Sequence, residues 1–349
     1  MKKSTQKVIA FVAMIVAILI GISLYNRGDN FIWFWIFGLA FGIILQCSRL
    51  CFVSAASEPF ITGSTEHFRA ILIGIFSASL GITAIKYLSD GTLDFLGVSA
   101  ISIPLIIGAF IFGIGMVLCG CCSAGVFIRL AEGYSVHIVT LLSIITGYLT
   151  ANSHYQTLWA PLVVNAPAIF LPSEIGWTGG IVSHIIVIIL LYLVALRIED
   201  NVSSSNSSKA LIGGIILGFF VILHYIILES SWSVTGAFFW IGELFKTTDK
   251  NTVQMALGPN LRNIGLFLGA FISIFACGNF RFKKIRSLKQ VCTNIFGGLL
   301  MGYGACLASG CNVSSFFIAA ASLSLSAWVF MIFLFAGAFI GIKLLYKLL

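Results

Sequence analysis

Four stretches without a charged side chain, residues 101–128, 175–196, 210–228 and 290–342, decide what this chain can fold into. About 20 apolar residues cross the hydrocarbon core of a bilayer as a helix, and inside that core each backbone polar group needs a partner within the protein. The first three runs each suit one crossing, and the fourth has room for two. Only 9% of the 349 residues are charged and 59% are hydrophobic, with a mean hydropathy of +1.06. A soluble domain carries about 25% charged residues. A closed barrel would show short alternating segments, which are absent here. The fold class expected is an all-α integral membrane protein.

Ten spans are predicted, near 8–25, 31–50, 68–88, 101–119, 134–151, 176–197, 210–228, 262–278, 291–308 and 325–347. Lys2, Lys3 and Lys7 before the first run resemble a signal peptide, but Tyr25 and Asn26 offer no small-residue cleavage site. With both termini in the cytoplasm, fifteen of the twenty Lys and Arg lie inside, including Arg281, Lys283, Lys284, Arg286 and Lys289. Arg27, Lys86, Lys246, Lys250 and Arg262 fall outside. That bias follows the positive-inside rule and makes the net charge of +8 mostly a topology signal. The scatter of basic residues along the loops argues against a nucleic-acid partner.

The chain repeats itself. Residues 108–125 read GAFIFGIGMVLCGCCSAG and residues 297–314 read GGLLMGYGACLASGCNVS. Gly108, Gly113, Gly115, Leu118 and Cys122 fall on Gly297, Gly302, Gly304, Leu307 and Cys311 without a gap. The copies lie five spans apart, so they run in opposite directions, as in the inverted repeats of secondary transporters. The expected division is an extra N-terminal span (1–30), a first repeat (31–151), a linking span and polar linker (152–209) and a second repeat (210–349). Around 119–125 and 309–312 the small and polar residues suit a helix broken at membrane depth, with half-helices near 124–131 and 312–320 whose positive ends would attract an anion. Close helix packing is the plainer use of such residues; their recurrence before a cysteine in both copies favours the break. A re-entrant or interfacial helix is expected within 230–250, with a counterpart near 51–65.

Nine cysteines are spread over separate spans. Cys47 and Cys51 share a helix face, Cys119, Cys121 and Cys122 lie together, and Cys306 and Cys311 belong to the second copy. No attending histidine gives a zinc or iron–sulfur spacing, so no metal or cofactor is expected. Cys277 and Cys292 read as small hydrophobes. Arg49 could hold an anion at a cytoplasmic mouth or simply follow the charge bias. Arg129 has Glu132 three residues on, the spacing of a helical ion pair. Gln46, Ser123 and Asn312 could offer polar contacts to anion oxygens. The five histidines form no ligand pattern.

Three segments carry a family resemblance: residues 46–51 (QCSRLC), residues 108–125 with Arg129, Glu132 and Gly133 following, and residues 296–311 (FGGLLMGYGACLASGC). They resemble the YeeE/YedE sulfur-transport family over nearly the whole chain after the first span. The resemblance implies a multi-pass protein of the bacterial inner membrane that imports thiosulfate, with selenium compounds proposed for related branches. It implies that Cys51, Cys122 and Cys311 pass the anion along through S–H···S hydrogen bonds, and that TusA-like sulfur carriers receive it in the cytoplasm. The family's usual Gly-Gly-Cys is here Gly120-Cys121-Cys122, which makes Cys121 and Cys47 additional candidates.

The chemistry suits such a cargo. Thiosulfate has a hard oxygen end and a soft terminal sulfur, and its lost water must be replaced inside the bilayer. Neutral thiols donate weak hydrogen bonds without repelling it, and weak serial sites let it leave. A membrane-embedded thiol enzyme is the rival class; it needs a base beside the nucleophile, and no His or Lys lies near Cys51, Cys122 or Cys311 in sequence. There is no Walker motif for ATP.

Overall fold

The computed structural model describes residues 2–26, 30–89, 91–199, 207–246, 249–285 and 287–348. Arg27, Arg286, most of the linker 199–209 and the side chain of Lys246 lie outside the described residues. The described residues contain nine helices long and apolar enough to cross a membrane, and a tenth crossing formed by a pair bent by 47°. They follow the ten predicted spans in order, which makes this a multi-pass, all-α membrane protein.

In chain order the helices are α1 (Lys3–Tyr25), α2 (Phe31–Ser48), α3 (Phe52–Ile61), α4 (Glu66–Leu88), α5 (Ile103–Cys119) and α6 (Ser123–Ala131). Next come α7 (Val136–Ser153), the single turn α8 (Pro161–Val164), α9 (Leu171–Ile198), α10 (Ser207–Leu228) and α11 (Gly236–Lys246). The chain ends with α12 (Lys250–Ala276), α13 (Leu288–Leu307), α14 (Asn312–Ala321) and α15 (Leu325–Leu348). As far as Ile318, α14 is wound with the wider π-helical turn.

Three helices start five or more residues before the expected span: α1 begins at Lys3 instead of 8, and two others start early for a local reason. The helix expected from residue 262 starts at Lys250, so Arg262 sits in its middle, 4% exposed, instead of in an outer loop. The charge does not end the helix because the bundle, not lipid, surrounds it. The helix expected from 176 starts at Leu171, with Pro172 in its first turn and a kink at Gly176, where φ is 76°. Proline is tolerated in the first turn because that N–H has no helical partner.

Packing pairs the helices symmetrically. α2 lies on α12 as α10 lies on α4, and α7 on α13 as α15 on α5, while α5 crosses α13 and α2 crosses α10. The short helices obey the same exchange: α6 touches α12 and α7, as α14 touches α4 and α15. At the central crossing, a Cβ on Gly108 would stand 2.7 Å from the Gly304 carbonyl, and one on Gly297 would stand 2.8 Å from that of Gly115. Only glycine lets the backbones approach so closely. α1 is fixed on the outside by the Trp35 indole, which donates to Ala17 O at 3.0 Å. α9 packs on α4 and turns Ile186, Ile189, Leu190 and Leu193 outward, the apolar face a bilayer requires.

Candidate functional site

Each of three cysteines opens a short helix inside the bundle: Cys51 precedes α3, Cys122 precedes α6 and Cys311 precedes α14. The local backbone is the same each time. Two residues before the cysteine the chain turns left-handed, at Arg49 (φ 54°), Gly120 (φ 65°) and Ser309 (φ 55°). A second left-handed residue closes each unit, at Gly63 (φ 75°), Gly133 (φ 94°) and Leu323 (φ 60°). Glycine takes this conformation freely, whereas a residue with a side chain pays roughly 1–2 kcal/mol. The result is three half-helices whose N–H ends, the positive ends of their dipoles, begin at a thiol. Gly125 N donates to Cys122 Sγ at 3.3 Å, which leaves the thiol proton free for another acceptor.

Five predicted residues meet on one cavity of about 430 Å³: Gln46, Arg49, Cys51, Cys121 and Cys122. Its wall also carries Arg129, Arg281, Lys283 and one carboxylate, Glu132. Glu132 accepts from Arg129 Nη1 at 3.0 Å, the pair expected from their spacing, and from Gln46 Nε2 at 3.2 Å. The other cations therefore leave the cavity positive. Lys283 is held there by its N–H to Gly133 O (2.8 Å) and by Nζ above the Tyr134 ring at 3.6 Å. A neighbouring cavity of about 510 Å³ shares Gln46 and Arg49 and receives Cys47, whose Sγ is 3.2 Å from Ser273 Oγ.

The remaining candidates lie in the dry interior. Cys311, Ser123 and Asn312 are buried and line neither cavity. Ser123 Oγ, Asn312 Oδ1 and, at the cavity edge, Gln46 Oε1 are buried without a hydrogen-bond partner among the described residues. Cys122 lines the cavity with Cys51, and Asn312, next to Cys311, donates to Met116 Sδ near the end of α5 at 3.5 Å. Cys277 and Cys292 are exposed, and the three thiols Cys51, Cys122 and Cys311 are the ones that open half-helices.

Sequence reasoning missed four neighbours. Ser314 Oγ accepts from Cys311 N at 2.9 Å and lies 3.8 Å from Cys311 Sγ. It also lies 3.5 Å from Ser233 Oγ, which accepts from Gly236 N at the start of α11. The serine-to-third-residue spacing of a helix cap was visible at Ser233, in the segment expected to hold a re-entrant helix. His137 Nδ1 is 3.5 Å from Cys121 Sγ and 3.3 Å from Thr140 Oγ1. Arg262 Nη1 donates to His224 Nε2 at 3.1 Å. Among the described residues no three His, Cys, Asp or Glu side chains converge as a metal-ligand set.

Comparison with known proteins supplies the context of this geometry. A family profile described as sulphur transport matches residues 47–340. The chain is 29% identical over 322 residues to the thiosulfate transporter TsuA of Spirochaeta thermophila, a match covering 86% of this chain and 94% of that one. It is 22% identical over 344 residues to the thiosulfate transporter TsuA of Escherichia coli, covering 88% and 93%. A shorter match of 164 residues, 46% of this chain and 39% of the other, relates it at 32% identity to "Probable transporter YedE" of Escherichia coli.

Proposed function

The chain belongs to the sulphur transport family, and from that premise we propose that it imports thiosulfate, or a closely related small sulfur anion, across the bacterial inner membrane. One observation carries the path: three half-helices begin at cysteines, two of which, Cys51 and Cys122, share the basic cavity while the third, Cys311, is buried in the core. The anion passes from Cys311 to Cys122 to Cys51 and leaves through the cavity edged by Arg49, Arg281 and Lys283. The positive-inside rule puts that cavity and both termini in the cytoplasm. The symmetric packing supports a duplication, with 31–151 and 210–349 as inverted halves, 1–30 as an added span and 152–209 as the link. A TusA-like carrier would meet the basic loop 281–289.

Binding sites of this kind exchange water for weak donors. Helix ends supply partial positive charge, and a thiol proton suits the terminal sulfur. No single site holds the dianion tightly, so it moves on.

The test is growth and labelled-thiosulfate uptake in a bacterial strain without its own sulfate and thiosulfate importers. Expression of this chain restores both on thiosulfate as sole sulfur source; no rescue by membrane-inserted protein would overturn thiosulfate as the cargo. In the same assay Arg49→Gln raises the KM for uptake by about three- to tenfold, because an exposed charge contributes roughly 1 kcal/mol. That difference shrinks as ionic strength rises, whereas a KM unchanged at low salt would remove Arg49 from the exit.

A further inference from the structure

We propose that Arg262 is an anion-binding residue in the dry half of the pathway, supplying beside Cys311 the counter-charge that the cavity arginines supply at the other end. This rests on the transport reading above and extends it to a residue outside the cysteine path.

The observations concern what surrounds the guanidinium. Arg262 lies in the middle of α12 and is 4% exposed. Its Nη1 donates to His224 Nε2 (3.1 Å), its Nε has no partner, and no carboxylate lies within 4.0 Å of it among the described residues. Aromatic faces cover it, with Trp232 at 4.9 Å and Phe34 at 5.5 Å from the guanidinium carbon. Cys311 is linked to this cage through Ser314, whose Oγ lies 3.8 Å from Cys311 Sγ and 3.5 Å from the Oγ of Ser233, the residue after Trp232. The indole Nε1 of Trp232, itself 1% exposed, is also without a partner among the described residues.

A charge buried among neutral groups costs several kcal/mol, and an ionisable side chain at membrane depth marks an ion path by default. Lys86 shows what a structural buried cation looks like in the same molecule. Its Nζ is satisfied by the carbonyls of Asp94 at 2.7 Å and Ser322 at 3.1 Å. Arg262 has no such carbonyls among the described residues. Its planar fork matches the oxygens of a sulfonate-type group, while the Cys311 thiol matches the soft sulfur at the other end of the ion. Trp232 Nε1 is a second vacant donor.

Purified full-length wild type, R262Q, R262K and W232F are titrated in detergent with thiosulfate, sulfite, selenite and thiocyanate, by calorimetry and by tryptophan fluorescence. The anion bound by wild type is expected to bind at least about tenfold more weakly to R262Q, with R262K in between because it restores charge without the fork. The fluorescence change on binding is expected to vanish in W232F. Wild-type affinity in R262Q overturns the proposal. So does an undiminished fluorescence change in W232F, a reading that does not depend on R262Q folding. If wild type binds one of the other anions instead of thiosulfate and R262Q loses it, the choice of thiosulfate fails while Arg262 stands. A wild type that binds none of the four overturns both.

Discussion

Cys122→Ala and Cys311→Ala are each expected to lower thiosulfate uptake about ten- to a hundredfold, while Cys277→Ala and Cys292→Ala stay within about twofold of wild type. The magnitude comes from one donor to a charged acceptor, roughly 1.5–3 kcal/mol, with every 1.4 kcal/mol worth about tenfold. The difference between sites comes from water. Cys311 is 0% exposed and lines neither cavity, and Cys122 shows only 4% of its surface at the cavity wall, so little solvent can replace the lost S–H. Cys51 is half-buried on the cavity wall, where a water can stand in for the thiol, and Cys51→Ala is expected to lose about tenfold or less. Cys277 and Cys292 are exposed and open no half-helix. The measurement is initial uptake of labelled thiosulfate, normalised to the amount of membrane-inserted protein. Wild-type rates in Cys122→Ala would end the relay, since that thiol opens the half-helix on the cavity it shares with Cys51.

The sequence announced the frame more readily than the interior. Charge-free runs are a direct consequence of the bilayer, so five crossings were readable from the absence of Lys, Arg, Asp and Glu, and the others from apolar runs that carry or border a charge. The breaks were readable because Gly120, Ser309 and Gly310 precede the thiols in two aligned copies. The third break was weaker in sequence: Arg49 takes the left-handed turn that Gly120 takes in the first copy, and no composition rule expects an arginine there. Arg262 was misplaced for an instructive reason. A charge near an apolar run is ordinarily its boundary, yet here His224 and Phe34 from other helices and Trp232 from the loop before α11 enclose it, and partners that distant in sequence leave no local signal. The meeting of Cys121, in the break between α5 and α6, with His137 on α7 was equally invisible. Ser233 and Ser314 escaped notice because serines in membrane helices mostly bond their own backbone, as Ser57 and Ser77 do here.

Gly304→Leu is expected to abolish the folded protein, through the geometry that also sets the spacing of the thiols. At the crossing of α5 and α13, a Cβ on Gly304 would stand 2.7 Å from Phe112 N and 2.5 Å from the Gly108 carbonyl. Both are backbone atoms that cannot swing aside, so a leucine must push the helices apart. Overpacking of this kind costs about 1–3 kcal/mol in soluble cores and occasionally more. In a bilayer, no hydrophobic force closes the gap again, because lipid tails are as apolar as the side chains they replace. Leucine at Gly179 is the control: a Cβ there would meet only Ile175 of its own helix, at 3.4 Å or more, and the variant should elute and melt as wild type. Gly304→Leu should instead elute as aggregate from a sizing column in detergent, and a wild-type melting curve would refute so close a crossing. Gly304→Ala tests the link to transport. Cys122 follows directly from the end of α5 and Cys311 from the end of α13, so a small separation at the crossing moves one thiol relative to the other. A folded Gly304→Ala protein with uptake reduced severalfold would show that this glycine contact holds the two cysteines at working distance; unchanged uptake would assign the contact to stability alone.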